Sequence, residues 1–227
     1  MRRWCSVLGA VVACAAATFV YAQNSVPASD TQDANQRKIL EFDKPKPLTM
    51  TRDLADGGTL VLDVNVGDVR VARNPGGNAI RLEVQPQHFD SEKDMRGWVR
   101  EFEVAGNRAT VRMHMPKQHN NGVQVVIYVP VSTSLKVDLG VGDLRISHIR
   151  GDKTLHVGIG DLVVGIEDAG EYGHLENAVK LGDVHDQVYH VERDGFFGQE
   201  KHLGNGMYHL RANVGIGDLT IEPEEKM

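Results

Sequence analysis

The stretch LKVDLGVGDLRI, residues 135–146, decides the fold. Apolar residues occupy every second position before its Gly-Asp pair: Leu135, Val137, Leu139 and Val141. After Gly142-Asp143 they resume at Leu144, an odd step from Val141. The pair therefore resets the alternation, as a bulge or corner must when both flanking strands point into a core. Glycine tolerates the positive φ of such a bend, and the aspartate can accept backbone N–H groups that the bend leaves free.

The same unit occurs five times along the chain. The five stretches are LVLDVNVGDVRV from Leu60, LKVDLGVGDLRI from Leu135, LHVGIGDLVV from Leu155, LENAVKLGDVHD from Leu175 and LRANVGIGDLTI from Leu210. The predicted structural-turn residues are Gly67, Asp68, Gly142, Asp143, Gly160, Asp161, Gly182, Asp183, Gly217 and Asp218. A period of ~20 residues with one corner per period is typical of stacked β coils.

We therefore predict an all-β fold, a β-solenoid that stacks short strands joined by Gly-Asp corners and includes one short helix. A β-sandwich with repeated bulges is the alternative. The helix is predicted from Ser91, its cap, to about Val99, with Met95 and Trp98 on its packed face. A hairpin is predicted over residues 101–115 and a long apolar strand over 123–131. The wide gaps between repeats predict insertions, namely this helix and a loop over Asp194–Gly206.

The first 22 residues have the pattern of an export signal. Met1 is followed by two arginines, an apolar stretch to Val20 and a small-x-small cleavage sequence that ends at Ala22. Retention of the stretch as a membrane anchor and lipidation at Cys14 are the alternatives. Cleavage would remove both cysteines, Cys5 and Cys14, so the mature chain would have no disulfide and no thiol.

Composition bounds the organisation of the chain. We expect a signal peptide over residues 1–22, a flexible polar lead over 23–50, one β-repeat domain over 51–223 and a tail over 224–227. The net charge of −6 and the lack of a basic run argue against nucleic-acid binding. The one long apolar stretch lies at the start, which excludes a polytopic membrane protein and leaves no stable membrane span after signal cleavage.

The repeats resemble the putative adhesin family of secreted bacterial proteins. The resemblance rests on VGDVRV, VGDLRI, IGDLVV, LGDVHD and IGDLTI, and on the strand VQVVIYVPVSTSLKV that leads into them. It covers about residues 54–223 and implies an exported, right-handed β-helix-like protein that acts at the cell surface. It implies no catalytic residues. The fourth repeat departs from the pattern, because Asn177 and Asp186 stand at apolar positions.

The five repeat aspartates are the candidate for chemistry. A ladder of carboxylates could bind Ca²⁺, and a pair of them could cleave a glycoside. One aspartate per ~20 residues supplies few ligands, so turn capping is the favoured interpretation. The ten histidines follow no HExxH motif and form no close triad. We therefore expect no catalytic residue, no cofactor and no metal site.

The sequence favours a non-enzymatic, exported envelope or surface protein. We expect an adhesion-like or scaffold module, in the periplasm or at the cell surface, whose partner is a glycan or a protein. The alternative is a carbohydrate-active or Ca-binding β-helix that uses the Asp ladder. An accessory module for envelope stress or signalling is a third hypothesis.

Overall fold

The computed structural model describes residues 46–85, 91–116, 123–193 and 195–225. The predicted signal peptide, both cysteines and residues 23–45 of the predicted lead lie outside the described residues. In the described part of the chain, no helix combines the length and apolar character needed to cross a membrane.

The alternating segments form seventeen strands within these ranges. They are β1 (Leu48–Asp53), β2 (Thr59–Val66), β3 (Asp68–Arg73), β4 (Ala79–Gln85), β5 (Val99–Ala105), β6 (Arg108–Met113), β7 (Gln124–Val129), β8 (Ser134–Val141), β9 (Leu144–Ser147), β10 (Lys153–Ile159), β11 (Leu162–Ile166), β12 (Tyr172–Leu181), β13 (Val184–Asp186), β14 (Val191–Arg193), β15 (Phe196–Leu203), β16 (Tyr208–Ile216) and β17 (Leu219–Pro223). The helical elements are α1 (Glu92–Trp98) and a 3-10 turn at Ala169–Glu171.

Each Gly-Asp repeat contributes one strand to each of two mixed sheets. The first sheet has the order β1-β4-β7-β3-β9-β11-β17-β13-β14, and the second has the order β15-β12-β16-β10-β8-β2-β6-β5. Strands of neighbouring repeats pair in parallel, whereas β1, β4, β5, β14 and β15 pair antiparallel. The all-β prediction is confirmed. The two sheets fit the sandwich alternative, and the solenoid interpretation stays a prediction.

The apolar residues of both sheets form one buried core. In β8 the predicted alternation holds as far as Leu139, because Leu135 and Val137 are buried while Lys136 and Asp138 are exposed. The expectation that Val141 points inward is wrong, since 43% of this residue is exposed. Val141 is followed at once by the corner into the other sheet, where the interior between the sheets ends.

The repeats do not stack in their sequence order. The repeat that begins at Leu210 (β16 and β17) lies between the third repeat (β10 and β11) and the fourth (β12 and β13). The loop predicted over residues 194–206 is also wrong, because β15 occupies most of that segment and pairs antiparallel with β12. A strand at this position covers one side of the fourth repeat, while the last repeat covers the other.

The local predictions outside the repeats are confirmed for the helix and the hairpin. Ser91 caps α1 by accepting the N–H of Asp94 at 3.2 Å, and Met95 and Trp98 are buried on the core. β5 and β6 form the predicted hairpin. The predicted lead extends too far, because residues 48–50 already belong to β1, which pairs with β4.

Candidate functional site

The five repeat aspartates lie in one column along the edge where the repeats pass from one sheet to the other. In each neighbouring pair, the backbone N–H of one aspartate donates to the Oδ1 atom of the next. The distances are 3.4 Å from Asp143 to Asp68, 3.0 Å from Asp161 to Asp143, 2.9 Å from Asp218 to Asp161 and 2.9 Å from Asp183 to Asp218. At the end of the column, Asp183 Oδ1 accepts the N–H of Gly195 at 2.9 Å. Each carboxylate thus binds the backbone of an adjacent segment.

The five glycines of the same pairs form a second column beside the aspartates. Their φ angles are 138° at Gly67, 129° at Gly142, 131° at Gly160, 136° at Gly182 and 131° at Gly217. A Cβ atom on Gly217 would lie 2.2 Å from the carbonyl oxygen of Gly160, and one on Gly142 would lie 2.2 Å from that of Gly67. Close approach of neighbouring repeats and positive φ therefore both require glycine here. The structure brings all ten predicted turn residues together, and we call this column the Gly-Asp edge.

A row of aliphatic side chains runs along the Gly-Asp edge. We call it the aliphatic ridge, and it comprises Val141, Ile159, Ile216 and Leu181, with exposed fractions of 43%, 49%, 48% and 41%. These residues are cross-strand neighbours, paired in that order, and adjacent strands lie ~4.8 Å apart. Sequence reasoning missed the ridge because strict alternation places these residues inside. The available signal was that an aliphatic residue precedes every one of the five Gly-Asp pairs.

A shallow groove of about 390 Å³ opens beside the Gly-Asp edge. Its polar lining residues are Asp68, Asp143, Asp161, Arg70, Arg145 and Gln124. Arg145 forms an ion pair with Glu222 on the outer face of the same sheet. The groove is therefore a surface of mixed charge, and the aliphatic contact area of this edge lies on the ridge.

The fourth repeat holds a buried polar cluster, which we define as Asn177, Asp186 and Glu200. Their exposed fractions are 0%, 3% and 6%. Asn177 Nδ2 donates to Glu200 Oε2 at 3.0 Å, so β12 and β15 contribute one member each. Asp186, at the end of β13, accepts the backbone N–H groups of Val188 at 2.9 Å and Tyr189 at 2.8 Å through Oδ1.

The remaining oxygen of each cluster residue has no donor. These atoms are Asn177 Oδ1, Asp186 Oδ2 and Glu200 Oε1. The two carboxyl groups lie within hydrogen-bonding reach of each other, but a hydrogen bond between them requires a proton on one of them. Burial raises the pKa of Asp186 and of Glu200. The cluster therefore favours a state in which part of its negative charge is neutralised.

A second buried polar group lies in β10. Lys153 is 1% exposed, donates to the carbonyl oxygen of Gly151 at 3.3 Å and contacts the hydroxyl of Tyr172. Burial lowers the pKa of Lys153 to about 7, although nearby carboxylates, Glu171 foremost, act in the opposite direction. Burial likewise raises the pKa of Tyr172. An amine this enclosed is a structural element rather than a site that a substrate reaches.

The described residues contain no group of three or more His, Cys, Asp and Glu side chains placed to hold a metal ion together. The Asp column is consistent with this finding, because successive carboxylates are directed at backbone N–H groups. The sequence had singled out Asn177 and Asp186 as departures from the apolar pattern. It missed Glu200 and Lys153, since neither falls within a recognisable motif.

Comparisons with known proteins give structural neighbours only. No family model matches the chain, and no curated protein does so. A crystal structure of a putative cell adhesion protein from Clostridium sporogenes is 15% identical, with a TM-score of 0.49, over 79% of this chain and 100% of that one. A putative adhesin from Bacteroides fragilis is 10% identical, with a TM-score of 0.29, over 79% and 99% of the two chains.

A third neighbour is a putative adhesin from Parabacteroides distasonis, 13% identical with a TM-score of 0.29 over 79% of this chain and 71% of that one. Two of these neighbours are named putative adhesins and the first a putative cell adhesion protein, and the Gly-Asp repeats resemble the putative adhesin family. The fold described above rests on the strand pairing of this chain itself.

Proposed function

We propose that this chain is an exported, non-enzymatic, adhesion-like protein that binds a second protein through the aliphatic ridge. The observation that carries the proposal is the unbroken row of four exposed aliphatic residues along the Gly-Asp edge. Single exposed apolar residues are ordinary on a protein surface, whereas a contiguous exposed row marks an interaction site. The export signal predicted over residues 1–22 supports a site outside the cytoplasm.

Charge and chemistry favour a protein as the partner. Aliphatic side chains gain free energy when they enter an apolar groove, while a hydroxyl-rich glycan gains little from them. Two positions after each ridge residue stands an aspartate, and Asp143 and Asp161 are exposed. A complementary surface therefore has an apolar groove with lysine or arginine along its rim.

The use of the carboxylates supports a non-enzymatic function. Glycoside cleavage needs two carboxyl groups that face a substrate, one to donate a proton and one to attack or activate water. Asp143, Asp161 and Asp218 each direct Oδ1 at the backbone of the next repeat. Their arrangement has a sufficient explanation in the stacking of the repeats.

Within this proposal the repeats form a solenoid-like stack that gives the ridge its regular spacing. Equivalent positions pair in parallel, for example Leu60 with Leu135 and Leu175 with Leu210. Ridge residues pair by the same rule, so each added repeat lengthens the binding surface by one aliphatic side chain. A stiff, extendable contact surface suits adhesion or scaffolding.

The test measures how many beads that carry the full chain bind to intact bacterial cells or to cultured epithelial cells. The double variant Ile159→Ser/Ile216→Ser should lower bead binding by about tenfold or more, since it removes the central half of the ridge. The matched control is Leu203→Ser/Met207→Ser, which removes two apolar side chains that are 76% and 75% exposed but lie outside the ridge. The control should bind like the unaltered chain.

Pretreatment of the cells identifies the class of partner. Trypsin should abolish binding, and periodate, which oxidises glycans, should leave it unchanged. Loss of binding after periodate alone would contradict a protein partner. Equal binding by the ridge variant and the unaltered chain would contradict the role of the ridge. Turnover of a polysaccharide that Asp183→Asn abolishes without unfolding the chain would contradict the non-enzymatic assignment.

A further inference from the structure

The fold does not require the polar interior of the fourth repeat. In the same row of the second sheet as Asn177, the other repeats place Leu62, Val137, Leu155 and Ala212. In the same row of the first sheet as Asp186, they place Val71, Ile146, Val164 and Ile221. An apolar pair fits these rows four times. The stacking of the repeats therefore does not explain the polar groups of the fourth repeat.

Three buried oxygen atoms without donors belong to this cluster, in which Glu200 lies within hydrogen-bonding reach of both Asn177 and Asp186. Each residue uses one polar atom in a hydrogen bond and leaves another oxygen unpaired. Orphaned polar atoms are rare in protein interiors, and those that occur commonly contact an ion or a water. A proton shared by the two carboxyl groups would pair the carboxyl oxygens but would leave Asn177 Oδ1 unsatisfied. A cation, by contrast, can pair with carboxylate and amide oxygens alike.

We propose that Asn177, Asp186 and Glu200 form a binding site for a hard, oxygen-preferring cation, with Ca²⁺ as the best match. Carboxylate and amide oxygens are the ligands that Ca²⁺ prefers, and bidentate carboxylates and water complete its usual six to eight contacts. The site is separate from the Gly-Asp edge and independent of the proposed function. It also differs from a calcium site built on the Asp ladder.

The surroundings of the cluster include a small neighbour and a surface cavity. Ala212, the direct cross-strand neighbour of Asn177, has the smallest side chain of its row. On the other side, Asp186 forms part of the wall of a surface cavity of about 330 Å³, together with His185, His190 and Glu192. This cavity brings solvent next to Asp186. A metal site needs an entry path as well as its ligands.

The electrostatics of the cluster point in the same direction. Asp186 and Glu200 are both buried and lie within hydrogen-bonding reach of each other, so their negative charges repel. A bound cation would supply positive charge between them and offset this repulsion.

The experiment measures the thermal unfolding of the full chain after dialysis against EDTA, with added CaCl₂, MgCl₂ or NaCl. Ca²⁺ should raise the Tm in proportion to the logarithm of its concentration, because it binds the folded chain. Calorimetry should give one site per chain. Asp186→Asn and Glu200→Gln should each weaken Ca²⁺ binding by about tenfold or more. The matched control Asp183→Asn, in the ladder of the same repeat, should keep the full response.

A second measurement uses the luminescence of Tb³⁺, an oxygen-preferring ion that an adjacent tyrosine sensitises. The backbone of Tyr189 donates to Asp186 Oδ1, and its ring is the candidate sensitiser. Tyr189→Phe should remove most of the sensitised emission and leave Ca²⁺ affinity within about twofold, since its ring supplies no ligand. This readout does not depend on whether the ligand variants fold.

Two results would overturn the site. One is an unaltered chain whose Tm does not respond to Ca²⁺ or Mg²⁺, because the cluster would then hold a proton only. The other is a response that Asp183→Asn loses as completely as Glu200→Gln, because the ion would then lie on the Asp ladder.

Discussion

The second and fourth repeats are built on the same Gly-Asp corner but differ in where they place their polar groups. In the second repeat, β8 and β9 bury only apolar side chains apart from Ser147, and Asp143 binds the backbone of the next repeat at the surface. In the fourth repeat, β12 and β13 bury Asn177 and Asp186. The corner geometry is nonetheless the same, with a φ of 129° at Gly142 and 136° at Gly182.

The difference shows that the corner and the interior are separable parts of this fold. Gly182 and Asp183 continue the two columns of the Gly-Asp edge although the strands around them have a polar interior. The Gly-Asp corner therefore determines how the repeats stack. The buried residues of a repeat can be polar or apolar without altering that stacking. β15 supplies Glu200 and pairs with β12 at the edge of the second sheet.

The largest effect should come from breaking the corner itself. Gly217→Ala should destabilise the chain by about 4 kcal/mol, because the new Cβ overlaps a backbone oxygen and the positive φ adds strain. The matched control is Gly57→Ala, whose φ is 75° but whose Cβ would meet nothing within 4 Å. The control should cost only about 1 kcal/mol. Urea denaturation measures both, and equal costs would show that strain, not close stacking, requires glycine at the corner.

The corner could be predicted from the sequence, and the stacking order could not. Gly217-Asp218 is recognisable by its motif alone, because the reset of the alternation and the recurrence are local properties of the chain. The order of repeats depends on which strand pairs with which. The strand that contains Leu210, β16, pairs with both β10 and β12 through the same aliphatic pattern. The pattern therefore does not determine which strands become its neighbours.

The buried polar groups were only half predictable for a related reason. Asn177 and Asp186 are visible as exceptions within a repeat, but Glu200 lies in a segment without apolar alternation. Its partnership with Asn177 exists only because β15 pairs with β12. Lys153 directly precedes an apolar row and has no sequence feature that marks it as buried.

The next effect concerns Lys153, whose amine is buried in β10 of the third repeat. Its pKa in the folded chain is about 7, below the ordinary 10.5. Between these values the unfolded chain binds more protons, so the free energy of unfolding rises with pH and falls as the pH drops towards 7. Lys153→Met should remove this dependence and stabilise the chain at neutral pH by about 3 kcal/mol. The exposed Lys136→Met is the control and should show neither change.

The pH dependence of stability should have the opposite sign in the fourth repeat. The pKa values of Asp186 and Glu200 are raised, so their contribution to stability is present at low pH and is lost as the pH rises through the folded-state values. The sign is opposite to that of Lys153. Denaturation curves of the unaltered chain and of Lys153→Met, recorded at a series of pH values, separate the contribution of Lys153 from that of the two carboxyl groups. A free energy of unfolding that still rises towards alkaline pH in Lys153→Met would contradict the pKa assigned to Lys153.

The smallest effect tests the carboxylates of the Gly-Asp edge. Asp161→Ala removes the acceptor of the Asp218 N–H, which lies 2.9 Å from Oδ1, and should cost about 1 kcal/mol. Asp161→Asn keeps an oxygen at that position and should cost a few tenths as much. Hydrogen exchange at the Asp218 amide should accelerate in the alanine variant and not in the asparagine variant. If both variants accelerate exchange equally, the negative charge of Asp161, and not its place as an acceptor, holds neighbouring repeats together. The ladder would then differ from a row of ordinary turn caps.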